Sequence, residues 1–133
     1  MNSRIKSQEL RTKTISTMHN FEKLIFWQKS ISLAKQVYIV SQMITESEKF
    51  GIISQMKRAV ISIPSNIAEG AGRNSNKEFN HFLAIALGSA FELQTQLILA
   101  KELDLLSEES VLGLLEDVSE VQKMIYSFKN NLK

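Results

Sequence analysis

Residues 76–103 constrain this chain more than any other stretch, because they are apolar around nearly the whole circumference of one long helix. Phe79, Leu83, Ala86, Ala90, Leu93, Leu97 and Ala100 recur at intervals of three and four. That spacing stacks side chains on one helical face. Outside the stripe lie Phe82, Ala84, Ile85, Leu87, Phe91, Ile98 and Leu99. Only His81, Gly88, Thr95 and Glu102 form a row that is not greasy. A helix apolar on most sides must be covered on more than one side, and a lone bundle leaves about half of it wet. The pattern therefore predicts association between copies, with Phe82, Leu87, Phe91 and Ile98 in the oligomer interface. Gly88-Ser89-Ala90 in mid-helix would let another backbone approach closely.

Three further helices are predicted by the same spacing. The first, about 21–45, carries two apolar rows on nearly opposite faces. One row runs through Leu24, Trp27, Ile31, Ala34, Tyr38 and Ser41, the other through Phe26, Ser30, Leu33, Val37, Val40 and Ile44. Thr45 to Glu48 reads as a turn with a capping box. The second helix, about 48–70, keeps its apolar phase from Ile53 through Met56, Val60, Ile63 and Ile67 to Gly70. Pro64, the single proline, interrupts the hydrogen bonding but not the phase, so the spacing predicts one helix bent at Pro64. Gly70 and Gly72 are expected to end it in positive-φ conformations. Ser75 and Glu78 form a second capping box that opens the third helix. Ser107 caps the fourth, about 108–130, with Glu108 and Glu109 at its positive end. Val111, Leu114, Val118, Val121, Ile125 and Phe128 give that helix a single apolar side. Short links between long helices predict an all-α, antiparallel up-down four-helix bundle over residues 20–133.

Residues 1–19 lack a sustained apolar period and are expected to be a disordered arm. Met18 stands just before the periodic region, so the arm reads as an upstream extension of the domain. The arm also explains the charge. Residues 1–17 carry four basic side chains and one acidic, while the rest carries 12 basic and 13 acidic. Within the body, residues 18–77 have 8 basic and 4 acidic side chains, and residues 78–133 have 4 and 9. Such a split suits charge-matched contact between copies or a basic face for an anionic partner. The chain has no cysteine, which excludes disulfides, thiolate nucleophiles and zinc-thiolate sites. No unbroken apolar run reaches the ~18–20 residues of a membrane span, and no signal-peptide layout is present. A soluble cytoplasmic protein without a membrane partner is expected.

Chemistry-bearing motifs are few. Glu78-Phe79-Asn80-His81 has the Glu-x-x-His spacing of di-iron bundles. That site needs a second such pair, and His19, the other histidine, precedes the bundle. Neither a metal nor a cofactor is expected. Gly70-Ala71-Gly72-Arg73 follows a helix, whereas phosphate-cradling glycine loops follow a strand. Ser62 and Ser65 have no neighbouring base in sequence, so no catalytic residue is assigned. Asn66, Glu69 and Arg73 fall on one helical face, with Glu69 and Arg73 spaced for an ion pair. They predict a polar network that ties Pro64 to the following turn; the alternative is a small-ligand pocket. Lys57, Arg58, Arg73 and Lys77 form the best basic cluster and are the candidate nucleic-acid-binding residues.

The stretches FEKLIFWQKSISLAKQVY, GIISQMKRAVISIPSNIAEGAGRNSNKEF and FLAIALGSAFELQTQL resemble, in the same order, the 23S rRNA-intervening-sequence proteins. The resemblance covers about residues 20–130. Arg58, Pro64, Asn66, Glu69, Gly70 and Arg73 match the family's motif positions. Lys57 departs from it, the family often having Arg there, and Ile44-Thr45 stands where a Phe-Pro pair is common. The resemblance implies a bundle that assembles as a homo-oligomeric ring, typically a pentamer. The family name records where some of its genes lie and does not establish a molecular function. Related bundles are accessory proteins of the reverse transcriptases of diversity-generating retroelements, which bind nucleic acid and the polymerase. By analogy the expectation is a non-enzymatic oligomeric scaffold that binds RNA or DNA non-specifically. The alternatives are a protein-interaction scaffold with no nucleic-acid role, and a small-ligand site at Asn66, Glu69 and Arg73.

Overall fold

The computed structural model describes residues 20–45 and 49–132. The predicted arm, 1–19, lies outside the described residues, as do 46–48 of the first capping box, residue 133 and the side chains of 49 and 50. The described residues form four α-helices: α1 Ile25–Ser41, α2 Ser54–Ala71, α3 Asn76–Glu102 and α4 Glu108–Asn131. A 3-10 turn, Phe21–Lys23, leads into α1, and a π turn, Lys49–Ile53, leads into α2.

Two rows compete to be the buried face of α1, and the Phe26 row wins. Phe26, Ser30, Leu33, Val37 and Val40 are buried, while Ile31 and Tyr38 of the other row are exposed. Ser30 and Ser41 enter the core without loss because each hydroxyl donates to a carbonyl of the preceding turn, at 2.7 and 2.6 Å. Asn20 caps the entry by accepting from the Glu22 N–H, and the edge of Phe21 meets Trp27 at 5.2 Å.

Helix α2 starts later than the spacing predicts. Gly51 leaves the helical basin (φ −95°, ψ −108°), so regular winding begins only at Ser54. From there α2 runs through Pro64 to Ala71, with Met56, Val60, Ile63 and Ile67 fully buried. The continuous apolar phase thus carries the helix past a residue that cannot donate to the Val60 carbonyl.

The predicted positive-φ stop at Gly70 and Gly72 is not what ends α2. Among the described residues no glycine has positive φ, and Gly72 is helical (φ −83°, ψ −2°). The helix closes instead through the Gly72 N–H to the Ala68 carbonyl and the Arg73 N–H to the Gly70 carbonyl. Ser75, fully extended, then resets the chain and caps α3 by accepting from the Glu78 N–H at 3.1 Å. The Glu78 carboxylate accepts from the Ser75 hydroxyl at 3.2 Å.

All seven residues of the α3 stripe, Phe79 to Ala100, are fully buried. Each large side chain so removed from water contributes roughly 1.5–3 kcal/mol. The stripe ends where Leu105 donates to the Ala100 carbonyl and Asp104 to the Lys101 carbonyl, the pairing of a Schellman turn. Its left-handed position holds Asp104 (φ 59°), not glycine. Ser107 then caps α4 by accepting from the Ser110 N–H.

Helix α1 packs on α2 and α4, and α3 packs on α2 and α4. Phe128 joins three of them, its ring 5.1 Å from Phe26 and 5.5 Å from Phe79. Gln122 of α4 donates to Gln94 of α3 at 2.8 Å, and Lys29 of α1 pairs with Glu120 of α4 at 2.9 Å.

Candidate nucleic-acid and assembly surfaces

The end of α2 and the start of α3 meet at a point where no side chain fits. Gly70 is buried, and a Cβ there would lie 2.7 Å from Phe82 Cβ and 2.9 Å from Phe79 Cδ1. Its role is close approach, not a special backbone conformation. Beside it, Arg73 Nη2 donates to Glu69 Oε1 at 2.7 Å, and the guanidinium lies 4.8 Å from the centre of the Phe82 ring. The pair is half exposed, so it adds only about 0.2–1 kcal/mol; the ring contact adds a similar amount.

Asn66 does not join that pair. Its amide donates to the Ser62 carbonyl at 2.8 Å and lies 2.9 Å from the Ser62 hydroxyl. That hydroxyl is 2.8 Å from the hydroxyl of Ser89 on α3. The expected single network is therefore two. Asn66 reaches back one turn to Ser62, whose hydroxyl ties α2 to α3, while Glu69 reaches forward one turn to Arg73. Pro64 lies between Ile63 and Ile67 in the core, and all three are buried.

The four basic candidates do not form one cluster. Lys57 and Arg58 stand at the start of α2, and Arg73 and Lys77 beyond its end, about 20 Å away along the helix axis. Lys57 is further engaged, its Nζ 4.9 Å from the centre of the Tyr38 ring. Arg58 and Lys77 are exposed and make no ion pair among the described residues. An open depression lined by Glu69, Gly72, Arg73, Asn74 and Glu78 covers the end of α2. Its two carboxylates outweigh its one guanidinium, which disfavours a free phosphate there.

Of the four interface candidates, three share a surface. Leu87, Phe91 and Ile98 fall within about 40° of arc on α3. Phe91 is 52% exposed, Ile98 39% exposed and Leu87 half-buried. Phe82 points about 160° away from Ile98, beside Gly70 and Arg73, and so does not share this surface. Helix α4 is not the one-sided helix that its apolar row suggests. Leu112 and Tyr126 stand on its outer side, 49% and 59% exposed. Their signal was present in the sequence: Leu112, Ser119 and Tyr126 lie seven apart and share a second face.

Among the described residues no group of three or more His, Asp and Glu is placed to hold a metal. His81 is exposed, edge-on to Phe82 at 5.5 Å. By length and composition α3 is apolar enough to cross a membrane, with a mean hydropathy of 1.5 over 18 of its residues. Glu92 in mid-helix interrupts the apolar run. A core helix has the same composition, and α3 buries a full stripe against α2 and α4.

The pattern of the family described as 23S rRNA-intervening sequence protein matches residues 22–127. No curated protein matches the chain. Among solved structures, the chain is similar to a protein of unknown function from the S23 ribosomal protein family of Bacteroides thetaiotaomicron. The two are 26% identical with a TM-score of 0.74, over 78% of this chain and 97% of that one.

Proposed function

This chain belongs to the 23S rRNA-intervening sequence protein family, and on that premise we propose that it is a non-enzymatic, homo-oligomeric helical scaffold that binds RNA or DNA without sequence preference. The observation that carries the reading is the surface left over once the core is complete. Ile31, Tyr38, Phe91, Ile98, Leu112 and Tyr126 are all exposed around an interior that is fully buried. Exposed apolar patches of this kind mark association surfaces.

In this reading the bundle is up-and-down, with α2 bent at Pro64, and copies close into a ring, a pentamer in keeping with the family resemblance. The short links favour it, as do the pairings of Ser62 with Ser89 and Gly70 with Phe82, which advance in opposite directions along α2 and α3. Arg58 near the start of α2, and Lys77 and Arg73 beyond its end, supply the phosphate contacts from two separate places. One copy offers few, and a ring multiplies them, so affinity comes from repetition. A cytoplasmic location suits such a role.

The experiment is purification without nuclease at low salt, followed by light scattering and absorbance ratio, then binding of a single-stranded oligonucleotide across a salt series. The expected result is an assembly that binds nucleic acid, with a salt slope that falls when Arg58 and Lys77 are replaced by Gln. A mass near 15.1 kDa at micromolar concentration rejects the scaffold. An unchanged slope rejects the basic patch.

A second reading, a protein-interaction scaffold with no nucleic-acid role, is favoured by one observation. Two of the four candidate cations are already committed within the chain, Arg73 to Glu69 and Phe82 and Lys57 to Tyr38. A co-purifying protein that survives nuclease treatment would select it.

A further inference from the structure

We propose that nucleic acid is held at one end of the bundle, the end from which residues 1–19 emerge, and that Arg4, Lys6, Arg11 and Lys13 supply most of the phosphate contacts there. The inference rests on the nucleic-acid reading above and adds the site.

The fold gathers that end from all four helices. Phe128 meets both Phe26 and Phe79, so the start of α1, the start of α3 and the end of α4 lie together. The end of α2 joins them, because only residues 72–75 separate it from α3. The Phe21–Lys23 turn packs on both α1 and α2. Here the exit of residues 1–19 is held in place. Asn20 caps the turn, the edge of Phe21 lies against Trp27, and the Gln28 amide donates to the Glu22 carbonyl at 2.8 Å.

Charge separates this end from the other. The turns that meet here carry Lys23, Arg73, Lys77 and Lys129 against Glu22, Glu69 and Glu78. Lys23, Lys77 and Lys129 make no ion pair among the described residues. At the opposite end of α3, about 40 Å away, Lys101 stands with Glu102, Asp104, Glu108 and Glu109. The bundle by itself offers a polyanion little, since residues 18–133 have 12 basic and 13 acidic side chains. Residues 1–17 add four basic side chains and one acidic, which brings the near end to eight cations against four carboxylates.

Chain length keeps the nearer of these cations at that end. A residue advances the chain by at most about 3.6 Å, so Lys13 lies within about 25 Å of Asn20 and Arg11 within about 32 Å. Neither spans the length of α3. Each phosphate neutralised releases counterions, so cations gathered at one end act together on one stretch of strand. Arg58, near the start of α2, stands apart from them and makes the lesser share.

The test is binding of a labelled oligothymidylate to the full chain across a salt series. The variant with Arg4, Lys6, Arg11 and Lys13 all replaced by Gln is expected to lose at least about tenfold in affinity near 0.1 M salt, and its salt slope should fall by about 2–3. Arg58→Gln should lower the slope by about 0.7 at most. The pair Glu108→Gln and Glu109→Gln raises the net charge at the far end and should leave the slope unchanged. A second measurement needs no variant. In the complex, Lys6, Lys13 and Lys77 should be protected from acetylation by a small reagent, and Lys101 should react as it does in the free protein. The site is overturned if the fourfold variant keeps its slope, if the far-end pair shifts the slope as much as the fourfold variant does, or if Lys101 is protected while Lys6 and Lys13 are not. Failure of the unmodified protein to bind at all overturns the nucleic-acid reading itself, which keeps the two failures apart.

Discussion

Gly70 and Phe82 fix the distance between α2 and α3: a Cβ on Gly70 would stand 2.7 Å from Phe82 Cβ, well inside van der Waals contact. The clashing atom is the first of its side chain and cannot swing aside. Gly70→Ala is therefore expected to destabilise the protein by about 1–3 kcal/mol, despite the better helix propensity of alanine. Denaturant unfolding reads this directly. Gly113→Ala is the control, since nothing lies within 4 Å of its added Cβ. It should stabilise by about 0.5–1 kcal/mol, the ordinary gain for glycine to alanine in a helix interior.

Asp104 occupies the left-handed position of a Schellman turn at φ 59°, a position that glycine fills without steric cost. Asp104→Gly is expected to raise stability by about 0.5–1 kcal/mol. A thermal melt of the two proteins at matched concentration measures the gain, and a loss would show that the Asp104 side chain holds the turn.

The Ser62–Ser89 hydroxyl pair is the polar tie between α2 and α3. Ser62→Ala and Ser89→Ala should each cost about 1 kcal/mol, and the double variant less than their sum. The double-mutant cycle is expected to give a coupling of about 0.5–1.5 kcal/mol. Additive costs would mean that the two hydroxyls act independently.

The helices were legible in the sequence because their apolar spacing is unbroken. The α3 stripe from Phe79 to Ala100 and the caps at Ser75 and Ser107 are where the spacing and cap chemistry put them. What escaped is whatever depends on a second helix. The spacing shows that Gly70 is apolar in phase, but only the approach of Phe82 explains why it has no side chain. Ser89 reads as a small residue until Ser62 lies opposite. Lys57 and Arg73 are alike in charge and far apart in space, because most of the length of α2 separates them. Leu112 and Tyr126 were hidden by the stronger row on the other side of α4. Periodicity reports the dominant face of a helix, and a second, weaker face is visible only once the first is known to be covered.

Glu69 holds Arg73 at 2.7 Å and so competes with any phosphate for that guanidinium. If nucleic acid docks at the end of α2, Glu69→Gln removes the competitor and leaves Arg73 over Phe82. Affinity should then rise, and the plot of log affinity against log salt should steepen by about one phosphate contact. The Arg73→Gln variant should move both quantities the other way. Because the ion pair is half exposed and worth little to the fold, neither change should alter the unfolding free energy by more than about 1 kcal/mol. A Glu69→Gln protein with unchanged affinity and slope, at unchanged stability, would show that the corner of Glu69, Arg73 and Phe82 serves packing and not phosphate.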